Sequence, residues 1–257
     1  MKQSFKHNWK LYIAEAVGLA IFMTSACFFS GLLESKTSAI HNAIPDPFGR
    51  SIIIGILMGL TALLIFYLPF TSSSGSHINP AVSITFHRLG KLPQNDLVFY
   101  IIFQIIGGTL AVYIMAFFMG DMLTAMPVNY AATVPGKYGI TTAFLAEFIT
   151  AFIMMSMVLF TSANHYLKKY TKLIAGCLVC MYVIIAGPLS GFGMNPARTF
   201  ASALPANTWT ASWIYMIVPI SGMLSAAEFF LWISKIFQQH NLKLHGVHMY
   251  HPVKMKQ

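Results

Sequence analysis

Charged residues are scarce in this chain. Asp, Glu, Lys and Arg make up 9% of its 257 residues, whereas a soluble domain has about 25%. So few charges cannot cover the water-facing surface of a soluble protein of this size. A hydrophobic content of 56% excludes intrinsic disorder, which requires low hydrophobicity, and three cysteines are too few for a disulfide-stapled secreted module. The composition predicts an integral membrane protein.

Acidic residues are the rarest charged class. Seven Asp and Glu stand against sixteen Lys and Arg, which gives a net charge of +9. A basic balance can indicate nucleic-acid binding, but that requires a basic patch on a soluble face. Here the positive charges lie between apolar runs, as they do in membrane proteins. We therefore expect the lipid bilayer, and not nucleic acid, as a partner.

Catalytic motifs are missing as well. The sequence has no phosphate-binding loop, dinucleotide fingerprint or Ser-His-Asp arrangement. The pair Cys177-x-x-Cys180 lies in an apolar run without a second Cys or His pair nearby, which favours packing over metal binding. We predict that the protein is not an enzyme and uses no cofactor or metal.

Six apolar segments are long enough to cross a bilayer, which takes about 20 residues each. The first is too long for the apolar region of a cleavable signal peptide, so none is expected. The segments are Leu11–Leu33, Ser51–Phe70, Leu97–Met119, Ile140–Thr161, Leu173–Pro188 and Ala211–Phe237.

The loops between these segments differ in positive charge. With six spans, twelve Lys and Arg residues lie on the side that holds both termini and four on the other side. Cytoplasmic loops carry the excess of Lys and Arg. The distribution predicts a multi-pass protein of the plasma (inner) membrane with both termini in the cytoplasm.

Two further apolar segments, Ile78–Leu89 and Met194–Leu204, are too short to cross. Asn followed by Pro is a good helix start, with Asn as the N-cap and Pro in the first helical position. Each segment is predicted to be a re-entrant half-helix, which is tolerated only where it is buried in protein or lines a wet cavity. The tripeptides that open them are Asn79-Pro80-Ala81 and Asn195-Pro196-Ala197.

The same pattern occurs twice along the chain. Spans one and four both open with Ala-Glu, at Glu15 and Glu147, and the Asn-Pro-Ala tripeptides follow spans two and five. Three spans per repeat mean that the second copy is inverted in the membrane. We predict one all-α channel domain over residues 1–257, with six transmembrane helices and two half-helices. The first repeat covers about 10–120 and the second about 140–237, followed by a cytoplasmic tail at about 238–257.

The half-helices are expected to meet near the midplane, with Asn79 opposite Asn195. Their N-terminal ends carry partial positive charge, and no carboxylate offsets it, so a cation is repelled whereas neutral water is not. The Asn amides donate hydrogen bonds to a passing oxygen. This reorients a water molecule and interrupts the donor chain that conducts protons. The arrangement favours a passive pore that excludes protons and ions.

The two Asn-Pro-Ala tripeptides, called boxes below, are in register with a six-span inverted repeat. This pattern resembles the aquaporin and glycerol-facilitator (major intrinsic protein) family, over about residues 10–235. The resemblance implies a passive channel for water, with small uncharged solutes such as glycerol as further candidates. It also implies a homotetramer with one pore per subunit. The matching stretches are Ser76–Val82 and Gly187–Arg198, together with Gln104, Gly107-Gly108 and Pro219.

The resemblance also implies a selectivity filter. Arg198 matches the arginine that lines the family's narrow extracellular constriction, and Phe192 and Val183 match two of its other positions. The fourth position comes from the second span. An ungapped count gives Gly59, whereas an alignment with one extra residue before the first box gives Met58, which we prefer.

The markers for the permeating solute disagree. Val183 and Phe192 make the filter more apolar than a water-only pattern and resemble the glycerol facilitators. Thr199 stands where facilitators usually have Asp, and Ala203 and Tyr215 resemble the water channels. The choice between water and polyol therefore stays open.

The remaining ionisable residues have several interpretations. Glu15 and Glu147 fit either a proton relay or structural hydrogen bonding to the re-entrant loops, and their symmetric placement favours the structural role. Glu228 has no assigned partner. The late histidines indicate either a solvated tail or a metal- or pH-responsive one; they are His240, His245, His248 and His251.

Alternative functions can be weighed on the same residues. An ion-coupled transporter would need an ionisable group at the midplane, where the boxes offer only amides. A gated or structural membrane protein without conductance would have its pore closed by Phe192 and Met58. A polyol or metalloid facilitator with little water selectivity is the other alternative.

Overall fold

The computed structural model describes residues 1–239, and this part of the chain consists of helices and connecting loops. Predictions for the histidine-containing tail fall outside the described residues. The α-helices are α1 Lys2–Glu34, α2 Ala39–Ala43, α3 Pro47–Tyr67, α4 Pro69–Ser72, α5 Pro80–Arg88, α6 Gln94–Met119, α7 Asp121–Thr124, α8 Gly139–Ala163, α9 Thr171–Ser190, α10 Pro196–Ala206 and α11 Ser212–Gln239.

Six of these helices are long and apolar enough to span a membrane, which confirms the predicted count. They are α1, α3, α6, α8, α9 with its preceding turn, and α11. Their ends differ from the predicted bounds. The helix α3 ends at Tyr67, before the predicted Phe70, because Pro69 lacks a backbone N–H and cannot continue it. The helix α9 continues to Ser190 and ends at Gly191, which adopts a left-handed conformation at φ 74°.

The half-helices α5 and α10 begin where the sequence predicts. The Asn79 side chain accepts a hydrogen bond from the backbone N–H of Ala81, and Asn195 accepts from those of Ala197 and Arg198. These bonds satisfy N–H groups that have no partner within a helix. A proline occupies the first helical position of each, where its missing N–H costs nothing.

The two halves of the chain interlock. The helix α1 packs along α6, α8 packs along α11, and α3 of the first half packs along α9 of the second. Each half-helix contacts the last span of the other half, α5 against α11 and α10 against α6. Neither half therefore completes its core alone.

Ion pairs and hydrogen bonds tie the helix ends together. Arg50 of α3 pairs with Glu34 of α1 at 3.3 Å. At the other end of the bundle, Arg88 pairs with Glu228 at 2.8 Å, which gives Glu228 a partner that the sequence did not reveal. Both members of this second pair are exposed, so it adds little to stability.

The α1–α6 contact depends on a glycine. A Cβ atom at Gly107 would lie 2.1 Å from the carbonyl oxygen of Ala16, which is backbone and cannot move aside. Small residues permit such close approach of membrane helices. This close approach of α1 and α6 is therefore possible only with glycine at this position.

We expect Gly107→Ala to lower the thermal unfolding temperature in detergent. Forcing α1 and α6 apart should cost about 1–3 kcal/mol, as overpacked core substitutions do. Gly187→Ala is the matched control, because a Cβ there meets no atom within 4 Å. Equal unfolding temperatures for the two variants would contradict the proposed role of Gly107.

Candidate functional site

The half-helices meet head to head in the interior. The Asn79 side-chain Nδ2 donates to the carbonyl oxygen of Met194 at 2.9 Å, and Asn195 Nδ2 donates to that of Ile78 at 2.7 Å. A side-chain amide has two N–H groups. Each Asn therefore binds the opposite loop with one N–H and retains the other for a molecule in the lumen.

The loops that lead into the half-helices have the same unusual backbone. Ser74–Asn79 and Ser190–Asn195 correspond residue by residue, and in each the second residue, a glycine, and the third and fifth residues have positive φ. For residues other than glycine this conformation costs roughly 1–2 kcal/mol each, so the surroundings must hold it. The left-handed residues other than glycine are Ser76 (φ 49°), Ile78 (φ 43°), Phe192 (φ 47°) and Met194 (φ 47°).

Glu15 holds the first loop. Its carboxylate accepts from the backbone N–H groups of His77 at 2.9 Å and Ile78 at 2.5 Å, and from the Ser74 hydroxyl at 2.6 Å. A fourth bond comes from Gln104 Nε2 at 2.7 Å. The side chain is fully buried, so these four bonds replace its hydration.

Glu147 holds the second loop in the same way. It accepts from the backbone N–H groups of Gly193 at 2.8 Å and Met194 at 2.5 Å, and from the Ser190 hydroxyl at 2.7 Å. The structure thus places both predicted acids against the loops, away from the cavity lining. The bonded N–H groups leave the loop carbonyls, apart from those that accept side-chain hydrogen bonds, as the groups available to the lumen.

Two tyrosines complete the loops, in a role that the sequence did not predict for either of them. The Tyr100 hydroxyl donates to the carbonyl oxygen of Ser74 at 2.9 Å, and the Tyr215 hydroxyl donates to that of Ser190 at 2.8 Å. They lie four residues before Gln104 and Pro219, which occupy matching places in the third span of each repeat. An alignment of the two repeats against each other would have identified them.

A cavity of about 320 Å³ runs past the two boxes. The side chains that the sequence assigns to the filter all line it, and they are Met58, Val183, Phe192 and Arg198. Gly59 does not line it. A Cβ at Gly59 would lie 2.9 Å from the Cβ of Cys180, so this position faces α9.

The cavity wall is mostly apolar and has no acidic residue among those described. Its cationic side chains in that part of the chain are Arg198 and Lys172. The Phe192 ring is held against Tyr182, with 5.7 Å between the ring centroids. A cation in the lumen would thus meet two positive side chains and two positive helix ends with no compensating carboxylate.

Arg198 is placed for a role in the lumen. It lies in the first turn of α10, where a positive side chain opposes the helix dipole and does not stabilise the helix. Its Nη1 has no hydrogen-bond partner within residues 1–239. A buried guanidinium N–H without a partner is costly, and Arg198 is one of the residues that line the cavity.

Comparisons with known proteins agree with this geometry. The sequence profile of the Major intrinsic protein family matches residues 2–230. Aquaporin NIP1-2 of Arabidopsis thaliana is 34% identical over 68% of this chain and 60% of its own length. A probable NIP-type aquaporin of Nicotiana alata is 30% identical over 84% of this chain and 74% of its own length.

A solved structure shares the fold. The X-ray structure of the aquaglyceroporin from Plasmodium falciparum superposes with a TM-score of 0.70 over 86% of this chain and 94% of that one. The two sequences are 19% identical over the match, so this likeness concerns the arrangement of the helices and not the solute.

We expect Glu147→Gln to destabilise the fold. The amide supplies an N–H where the carboxylate accepted one, which leaves a buried backbone donor of Gly193 or Met194 unsatisfied at a cost of about 1–3 kcal/mol. Thermal unfolding in detergent measures this, with Asp121→Asn, an exposed acid, as the control. A Glu147→Gln protein as stable as the control would show that the carboxylate does not hold the loop.

Proposed function

The chain belongs to the major intrinsic protein family, and from this premise we propose that it is a passive channel for water and small uncharged solutes. The observation that carries the proposal is the cavity between the two Asn-Pro-Ala boxes, where two helix N-termini meet beside Arg198 without a carboxylate among the described lining residues. Gradients of osmotic pressure or concentration drive the flow, and no cofactor takes part. The repeats at about 10–120 and 140–237 together form the one channel domain.

Selectivity against cations arises at the midplane. The two half-helices direct their positive ends at the same point, and the free N–H of Asn79 and of Asn195 each donates to the passing oxygen. A water molecule bound by both amides accepts their hydrogen bonds with both of its lone pairs. It therefore cannot accept a proton from the next water molecule in the pore. Neutral molecules pass, whereas protons and cations meet an electrostatic barrier.

The filter selects among neutral molecules. Arg198 donates hydrogen bonds to a solute oxygen, while Met58, Val183 and Phe192 offer only apolar contact. This combination suits a solute with hydroxyl groups on one side and carbon on the other, such as a small polyol. The Phe192 ring is the bulkiest of the three apolar side chains, so it limits the size of solute that passes the filter.

A coupled transporter is less consistent with the site. Such a mechanism needs an acid that takes up and releases a proton or ion in the lumen. Glu15 and Glu147 are fully buried behind the loops, where several donors occupy their oxygens. The exchange of a proton there would release the loop backbone that forms the pore.

We also propose a homotetramer in the plasma (inner) membrane, with one pore per subunit and both termini in the cytoplasm. The asymmetric distribution of Lys and Arg supports the orientation. Large apolar side chains on the outside of the bundle support contact with lipid or with neighbouring subunits, and Phe117 is 83% exposed.

Stopped-flow light scattering on proteoliposomes tests the channel. We expect faster water efflux than from empty liposomes, and a severalfold gain in glycerol permeability for Phe192→Ala because the filter widens. Phe117→Ala removes an equal ring from the outer surface and should leave both rates unchanged. Wild-type protein that is folded but conducts neither solute would overturn the proposal.

Arg198→Val tests the charge of the filter. Loss of the guanidinium should raise proton or potassium leak, measured with a pH-sensitive dye or an ion-selective electrode, because the lumen then lacks one of its fixed positive charges. Lys36→Gln removes an exposed charge outside the cavity and serves as the control. An unchanged leak in Arg198→Val would show that Arg198 does not contribute to the barrier against protons and cations.

Native mass spectrometry tests the assembly. We expect a main species with four times the mass of the chain, released from detergent micelles or nanodiscs at several protein concentrations. A stable monomer under all these conditions would contradict the tetramer and leave the single-subunit pore unaffected.

A further inference from the structure

The inverted repeat relates the two ends of the cavity to each other. The boxes and the loops before them align without gaps, so positions in the filter have counterparts at the opposite end. The loop residue Phe192 corresponds to Ser76, three residues before the asparagine in each repeat. Arg198 corresponds to Val82, three residues after it.

The helix positions correspond as well, once the longer connection in the first repeat is included. Met58 and Ala175 lie 21 and 20 residues before their respective asparagines, and Phe66 and Val183 lie 13 and 12 residues before them. The same one-residue difference relates both pairs. The first repeat has its extra residue where Pro69 ends α3, whereas α9 continues to Ser190.

All four counterparts line the same cavity. The one aromatic side chain of the filter, Phe192, is on a loop. At the opposite end the loop position is Ser76 and the α9 position is Ala175, both small, and the one large side chain is Phe66 at the end of α3. Phe66 is therefore the residue of this set that can narrow the cavity.

The backbone that carries Phe66 is anchored to the second repeat. Lys172 Nζ donates to the Phe66 carbonyl oxygen at 2.6 Å and to the Ser72 hydroxyl at 2.9 Å. Its ammonium group lies 5.2 Å from the centroid of the Tyr67 ring. Phe66 is in the last turn of α3, where carbonyl groups lose their helical partners and a lysine is a favourable substitute. The bond thus joins the start of α9 to the end of α3 beside the cavity.

We propose that the pore has a second constriction at the end opposite Arg198, formed by Phe66 with Ser76, Val82 and Ala175, and that Lys172 is its positioning residue. The proposal rests on the proposed channel function and adds a second determinant of solute size. The permeability of a larger polyol then depends on two barriers in series.

Two barriers in series have a distinctive signature, because their resistances to flow add. Removal of one leaves the other to limit the flux, so relief of both gives more than the product of the single effects. The test compares Phe66→Ala, Phe192→Ala and the double variant by stopped-flow light scattering with glycerol and erythritol. Leu64→Ala is the matched control, since Leu64 is on the same helix but 55% exposed on its outer face.

We expect Phe66→Ala alone to raise erythritol permeability by at most about twofold, because Phe192 then limits the flux, and the double variant to exceed the product of the two single gains. Leu64→Ala should equal the wild type. If the double variant equals Phe192→Ala, Phe66 is not a barrier and the inference is wrong while the channel function stands. If the folded wild type conducts no water, the proposed function itself fails.

The role of Lys172 is tested by rescue. Lys172→Met keeps the apolar stem but removes the donor, so the Phe66 backbone loses its anchor and erythritol permeability should rise. Lys172→Arg retains a donor and should behave as the wild type. In a Phe66→Ala background Lys172→Met should add nothing, because the ring that it positions is gone. An equal gain in that background would show that Lys172 acts independently of Phe66.

Discussion

The fold depends on the bonding of backbone groups where two helices stop inside the bilayer. A chain that ends a helix at this depth exposes N–H and C=O groups that no water or lipid can satisfy. Here two buried carboxylates accept the loop N–H groups, two asparagines bind across the repeats, and two tyrosines bind the serine carbonyls. With the N–H groups bound on the protein side, the loop carbonyls that neither the asparagines nor the tyrosines bind remain for the lumen. The row of carbonyl groups along the pore is thus a consequence of how the loops before the two half-helices are stabilised.

The same arrangement explains why the repeats cannot be separated. Asn79 bonds to the second loop and Asn195 to the first, and each half-helix packs on the last span of the other half. The left-handed residues in the loops are held by Glu15 and Glu147, which belong to the first span of each repeat. The pore therefore exists only when both halves are folded together, and the cavity wall at one end has a counterpart at the other.

The spans and half-helices of this fold could be predicted because each depends on a short, continuous stretch of sequence. Six long apolar runs and two Asn-Pro starts each have a direct physical meaning, since hydrocarbon thickness sets the span length and the missing N–H of proline sets the helix start. Tyr100 and Tyr215 carry no such local signal, because a tyrosine in an apolar helix has many uses. The Arg88–Glu228 pair joins residues far apart in sequence, which no spacing rule connects.

The sequence was not sufficient to predict which side chains of a helix face the pore. A count along the chain left Met58 and Gly59 as rivals, because Pro69 ends α3 and the extra residue shifts the register by one. Neighbouring residues on a helix point about 100° apart, so a one-residue shift exchanges a lumen position for a packing position. The contact with α9 decided it, by pressing Gly59 against Cys180 and leaving Met58 toward the cavity. Sequence alone thus established the membrane class, the repeat and the boxes, whereas helix packing established which face of each helix forms the pore.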